Sequence, residues 1–347
     1  MKVLIKLTHP AHVHYFKNFI FHMKSKGHDL MIISKDKEVA IQLLKDYNID
    51  FVNHGKGGKG FLGKLTDFFH VNLFILSKAL KFKPDLFMSC ASHHAAQVAF
   101  LMGKPSLTFD DTEHNWMNHK MYLPFTNKVL TPYSFNKNLG KKHVKFNAFL
   151  EFGSLHPNYF KPNDEVYKYL KIDKSEKFIL LRFISWGAIH DRGESGFSYE
   201  IKQKAIEELS RYAKVFISSE KELPEEFKKH QIKLPPSLMH DAMYYSELFF
   251  GESGTMAVEA ALLGTPSVRV STLAKSLGNF KELRDKYSLL HFYEDSNEGL
   301  DMALSLIKDE TSKDKLKAKK DIFFQGKIDF NAFIIDLVEG YQPQNLK

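Results

Sequence analysis

The segment Gly251-Glu252-Ser253-Gly254-Thr255 follows an apolar run, Leu248–Phe250, and opens a helical pattern that closes at Gly264-Thr265-Pro266. Small residues at such a turn let the backbone approach a ligand closely. The first N–H groups of the helix lack internal partners and point at that ligand, which suits a diphosphate. Glu259 sits one helical turn beyond Thr255 on nearly the same face, where a carboxylate could accept hydrogen bonds from the vicinal hydroxyls of a ribose. The plainer reading is an ordinary capped helix, with Ser253 as N-cap and Gly264 as C-cap. Both readings stand on spacing alone.

Four further clusters sit where a strand pattern gives way to a helix. Thr8-His9-Pro10-Ala11-His12-Val13-His14 follows the first strand. A neutral imidazole there could accept a hydroxyl proton near pH 7. The ligand spacing matches no standard zinc pattern, so no metal is expected. His9 and His14 can be read as capping or flanking the helix, which leaves His12 as the candidate base. In Asp110-Asp111-Thr112-Glu113-His114-Asn115, one aspartate can be an N-cap; Glu113 and His114 are the catalytic candidates. Ser89-Cys90-Ala91-Ser92-His93-His94 offers Ser92 as a cap and two histidines to a cleft, with Cys90 read as a small buried apolar residue. Arg182 could meet a phosphate and His190 could face the cleft, with Trp186 and Gly187 in the loop between them. A buried tryptophan beside a solvated histidine is the plainer account.

Gly55–Gly63 reads GKGGKGFLG, a cationic loop rather than a P-loop, because neither Gly-Lys pair is followed by Ser or Thr. Lys281 could approach the phosphates from a solvated helix start. The helix around Phe68, Phe69, Phe74 and Ile75 reads as core, or as an apolar surface that with nearby lysines touches lipid.

Short apolar runs alternate with amphipathic stretches to position these residues. Strands are expected at Lys2–Leu7, Asp29–Ser34, 50–53, 85–89, Ser106–Phe109 and 128–131, and helices at 13–26, 38–47, 65–81, 91–102 and near 134–141. A Pro- and Asn-rich stretch, 153–163, reads as a connector. The rhythm then restarts, with strands at Phe178–Phe183, 215–218, 248–250 and Ser267–Val270. Helices follow at 198–211, 237–245, 255–263 and 297–308, and a helical tail at 314–341. This is the βαβα pattern of parallel sheets covered by helices. It predicts an N-terminal Rossmann-like domain over 1–152, a second over 164–325, and a helical tail over 326–347. Ligands of such sheets bind beyond the carboxyl ends of the strands, so an interdomain cleft is expected.

The 347 residues exceed the usual span of one hydrophobic core. With 44% hydrophobic and 26% charged residues, a disordered or collagen-like chain is excluded. One cysteine excludes an intramolecular disulfide framework. No apolar run spans a bilayer and the N-terminus lacks a signal-peptide core, so a cytoplasmic protein is expected. The net charge of +8 favours anionic partners, such as nucleotides, phosphorylated sugars or a phospholipid surface. No basic block or arginine-rich arm appears, which argues against nucleic acid.

The motif GESGTMAVEAALLGTPSV resembles the nucleotide-sugar motif of GT-B proteins, among them UDP-N-acetylglucosamine 2-epimerases and murein-precursor N-acetylglucosaminyltransferases. HPAHVHYFKN and FDDTEHN look closer still to a domain family of unknown function, widespread in archaea and bacteria and related to those enzymes. The resemblance spans essentially the whole chain in order and spacing. It implies a GT-B architecture, two facing Rossmann-like domains, with a UDP-sugar-like donor held by the second. Ser253, Gly254 and Thr255 would take the diphosphate and Glu259 the ribose. His12 falls where the murein-type transferases carry a histidine in their first glycine-rich loop, although Pro10-Ala11 here replaces glycines. Thr112-Glu113-His114 falls near an acidic segment that the epimerases use in catalysis, but Ser89-Cys90 stands where epimerases carry Gly-Asp. The expected activity is a glycosyltransferase using a nucleotide-activated sugar and a saccharide or lipid-linked acceptor. It would need no cofactor or obligatory metal, and peripheral contact with the inner face of the membrane is allowed. A 2-epimerase-like enzyme and a non-catalytic nucleotide-sugar-binding protein are the alternatives.

Overall fold

A computed structural model describes residues 1–58, 60–184, 197–219, 222–271 and 277–340. The chain divides into two compact units, Met1–Tyr159 with Lys327–Lys347, and Phe160–Gly326.

Unit 1 begins β1 (Lys2–Leu7), α1 (Pro10–Ser25), β2 (Asp29–Ser34), α2 (Glu38–Asp46), β3 (Val52–Asn53) and α3 (Gly60–Phe82). It continues β4 (Leu86–Cys90), α4 (His93–Leu101), β5 (Ser106–Phe109), α5 (Trp116–Tyr122), β6 (Lys128–Pro132), β7 (His143–Phe146) and α6 (Phe152–Leu155). Its parallel sheet has the order β3-β2-β1-β4-β5-β6-β7. Val3, Leu4, Ile5, Leu86, Phe87 and Met88 are fully buried, as expected of central parallel strands covered on both faces.

Unit 2 comprises α7 (Glu165–Leu170), β8 (Phe178–Phe183), α8 (Tyr199–Leu209), β9 (Lys214–Ser219), α9 (Met239–Tyr245) and β10 (Leu248–Gly251). Then come α10 (Gly254–Leu263), β11 (Ser267–Val270), α11 (Gly278–Lys281), β12 (His291–Tyr293), α12 (Ser296–Lys308) and α13 (Ser312–Gln325). The strands pair in parallel in the order β12-β11-β10-β8-β9. The last described helix, α14 (Phe330–Glu339), returns to unit 1.

In each sheet the strand order reverses once, between β1 and β4 in unit 1 and between β8 and β10 in unit 2. Such switch points leave a crevice at the carboxyl ends of the strands. The Gly251–Thr255 turn of unit 2 and the His12 and His93 loops of unit 1 lie there, whereas Glu113 and His114 follow the neighbouring strand β5.

Two expectations are corrected. Residues 134–141 are not helical: Asn138 Oδ1 accepts from Gly140 N, Gly140 takes φ +86°, and Lys145 Nζ donates to Phe135 O, so the segment turns into β7. The cationic loop is shorter than expected, because α3 already begins at Gly60. The expected connector, 153–163, contains the point where the units part, between Tyr159 and Phe160, and its first residues belong to helix α6. Among the described residues no helix is long and apolar enough to cross a membrane.

Candidate functional site

The unit 2 switch point gathers five of the residues singled out by sequence. Gly251 pairs with Arg182 of β8 on one side and Arg269 of β11 on the other. A side chain at Gly251 would place Cβ 2.4 Å from Arg182 O, so only glycine lets these strands meet. The chain then turns at Ser253, whose Oγ accepts from Met256 N, 3.4 Å away, as the N-cap of α10. Gly254 and Thr255 form the first turn, where amide groups face outward without a preceding carbonyl. Arg182 Nη1 donates to Ser218 Oγ at the end of β9, 2.9 Å. The capping reading of Ser253 and the ligand reading thus coexist, since the capped helix presents its positive end at the strand termini.

Sequence reasoning missed two residues here. Arg269 is buried in β11, with its guanidinium stacked 4.6 Å over Phe280 and Nε donating to Glu252 O. It lies directly behind Gly254: an added Cβ there would sit 3.1 Å from Arg269 Cζ. Its signal was a lone arginine in the apolar strand SVRV. Glu252 is buried and accepts from Ile184 N and Phe197 N, each at 2.7 Å. That carboxylate holds both flanks of the segment containing Trp186 and His190, which lie outside the described residues. Glu259, one turn into α10, is 5% exposed, and its Oε1 lies 3.2 Å from His240 Nε2 of α9. The histidine fixes the orientation of the carboxylate expected to meet a ribose. Lys281, at the end of α11, is exposed.

Unit 1 separates its candidates. His9 caps α1, accepting from Ala11 N, and buried His14 lies 3.3 Å from the Tyr47 hydroxyl. His12 is held by Thr8, whose N–H donates to Nδ1 at 3.3 Å. Burial, then His9, Lys6 and Lys37, push its pKa well below the usual imidazole value, so it is neutral at pH 7. Glu113 is buried and accepts from Asn136 N, whereas His114 is exposed. Beside this loop a histidine not singled out from sequence, His119, meets a carboxylate: Nε2 lies 3.2 Å from Asp110 Oδ2, which also accepts the Tyr122 hydroxyl at 2.6 Å. Burial and then the neighbouring Asp110 push the Asp111 pKa up. Cys90 is buried, and burial with the adjacent carboxylates raises its thiol pKa, so it stays protonated and unreactive. His93 and His94 bond to Asn118 and Asn72. Among the described residues, no group of three His, Cys, Asp or Glu side chains is placed to hold a metal ion.

The family described as protein of unknown function (DUF354) matches residues 1–331. An uncharacterised protein of Methanocaldococcus jannaschii is 24% identical over 304 residues, covering 84% of this chain and 87% of that one. A UDP-GlcNAc 2-epimerase from Neisseria meningitidis, solved bound to UDP-GlcNAc, superposes with a TM-score of 0.69 at 14% identity, covering 98% of this chain and 100% of that one. The glycosyltransferase VinC, solved with dTDP, gives 0.61 at 13% identity, covering 98% and 99%. These likenesses show the fold: two parallel-sheet α/β units of the GT-B type, shared by nucleotide-sugar epimerases and glycosyltransferases.

Proposed function

The chain belongs to the DUF354 family of proteins of unknown function, and from that premise we propose that it is a glycosyltransferase using a nucleotide-activated sugar, with a UDP-sugar as donor. Its products would be surface polysaccharide or glycolipid. The observation that carries this reading is the unit 2 cradle, where Gly251 and Gly254 keep the backbone bare at the start of α10 with Arg182 and Arg269 on either side. Helix amides and two guanidiniums supply the positive field that a leaving diphosphate needs, with no step that requires a metal. Glu259, oriented by His240, takes the ribose. His190 joins the site in this proposal from outside the described residues.

In unit 1, His12 receives the acceptor hydroxyl proton and Glu113 is the alternative base. The lowered pKa of His12 keeps it in the accepting form at pH 7, although the same burial makes it a weak base. His114 is placed in the same loop and open to solvent. The protein works at the cytoplasmic side of the membrane, which the exposed Phe69, Leu73 and Leu80 of α3 touch. Failure to bind anionic liposomes would remove that part.

A second reading, a UDP-sugar 2-epimerase, is favoured by the packed carboxylates Asp110, Asp111 and Glu113 at the end of β5, which could move protons on one bound sugar. One experiment separates the two. UDP-, GDP-, CMP- and dTDP-sugars are tested by calorimetric titration and their products by mass spectrometry. Binding of UDP-sugar that is lost in Glu259→Ala supports the donor site. Sugar isomerised without acceptor selects the epimerase, and slow donor hydrolysis the transferase. Binding without turnover, unchanged in His12→Ala and Glu113→Gln, would leave a binding protein. No binding of any nucleotide would overturn the proposal.

A further inference from the structure

Lys6 is the least expected residue of unit 1. It sits near the end of the central strand β1, paired with Ile33 of β2 and Ser89 of β4, and is 0% exposed. Its Nζ donates to Leu7 O at 2.9 Å. Burying an ammonium costs far more than one carbonyl returns. Burial and the nearby Lys35 lower its pKa to about 7.

Lys6 lines a cavity of about 260 Å³ at the β1/β4 switch point. Lys35 and Lys37, beyond the end of β2, line it too, and Asp67 of α3 supplies one carboxylate. Three lysines thus face one acidic group. His54, just past β3, closes another wall; it is 7% exposed, and among the described residues neither ring nitrogen has a hydrogen-bond partner. On the β4 side stand His93 and His94, the first residues of α4, so the positive end of that nine-residue helix also faces the cavity. The buried, unpartnered ring of His54 and an ammonium held by one carbonyl need an occupant that supplies acceptors.

We propose that this cavity binds a phosphoryl group of the second substrate, held by Lys6, Lys35, Lys37 and His54. A phosphate monoester carries close to two negative charges and several strong acceptor oxygens at pH 7, and it would meet a wall in which lysines outnumber carboxylates. The volume lies below the ~300–1,000 Å³ of pockets that enclose whole ligands, so the cavity fits a headgroup and leaves the rest of the molecule outside. The assignment to the second substrate rests on the glycosyltransferase reading. The anion site itself does not.

The test titrates inorganic phosphate into the full chain by calorimetry and 31P NMR, against chloride at matched ionic strength. The expected result is saturable phosphate binding, weakened about tenfold or more in Lys6→Met and in Lys35→Gln. The second variant lies on the strand end rather than in the core, so it stands if the first fails to fold. Phosphate giving no more than chloride, or binding unchanged in both variants, would overturn the site. UDP affinity is measured on the same variants. Loss of phosphate binding with UDP binding intact supports the second substrate; equal loss of both overturns that assignment, making the anion the donor's. Failure of UDP to bind the unaltered protein, with phosphate still bound, sinks the donor reading alone. Glucose 1-phosphate against phosphatidic acid vesicles then distinguishes a soluble from a lipid carrier of the phosphoryl group.

Discussion

Gly254→Ala separates the diphosphate cradle from a merely capped helix. The added methyl would lie 3.1 Å from Arg269 Cζ and 3.2 and 3.3 Å from its two terminal nitrogens. The guanidinium has little room to retreat, because Nε is tied to Glu252 O and the plane rests on Phe280. It must nevertheless move by a few tenths of an ångström. The cost to folding is partly offset, since alanine is better than glycine in a helix by about 1 kcal/mol. Tm should therefore change little. A ligand loses more: displacing one charge-assisted hydrogen bond costs about 1.5–3 kcal/mol, and each 1.4 kcal/mol is tenfold in affinity. UDP should bind about 10- to 100-fold more weakly, as read by calorimetric titration beside a thermal scan. An unchanged UDP affinity at unchanged Tm would refute the claim that Arg269 and the start of α10 act on the diphosphate together.

Two further outcomes follow from carboxylates beyond the strand ends. In Glu252→Gln, one amide N–H₂ must face a backbone N–H of Ile184 or Phe197. The lost charge-assisted bond, about 1.5–3 kcal/mol, should lower the Tm of unit 2 by about 3–12 °C; a melting curve identical to the parent's contradicts this clamp. Asp111 has its pKa raised in the folded state, so the folded protein holds more protons than the unfolded chain between the two pKa values, and stability falls as pH rises through the folded one. Asp111→Asn should therefore raise the Tm at neutral pH, with the gain shrinking as the pH is lowered towards 4. A gain that is independent of pH would show that the charge is not the cause.

Much of the fold is legible in the residues because parallel strands buried on both faces read as apolar runs. β1, β2, β5, β8 and β11 begin and end where their sequences suggest. The caps Ser92 and Ser253 were equally plain, since each side chain serves its own helix start. What escaped depends on distant segments. Lys6 and Arg269 are charges set among the apolar residues of central strands, and only the strand order reveals that each meets a crevice. The Asp110–His119–Tyr122 cluster spans a loop and a short helix whose geometry no local period announces. Residues 134–141 offered a weak polar pattern, and the Asn138–Gly140 turn decided against a helix.

Unit 2 is cut from one continuous stretch, whereas unit 1 is interrupted by it. During synthesis the chain therefore completes unit 2 while unit 1 still lacks α14. That helix closes the apolar surface of unit 1: Phe330 packs against Phe109 and Phe146, at 5.8 and 5.4 Å, and Asn331 donates to Gly153 O. Until it emerges, the faces of α1 and α6 are open to solvent, and such surfaces are where chaperones bind and aggregation starts. A nascent chain of this protein carries a finished second half on an unfinished first, and its vulnerable interval lasts until α14 emerges.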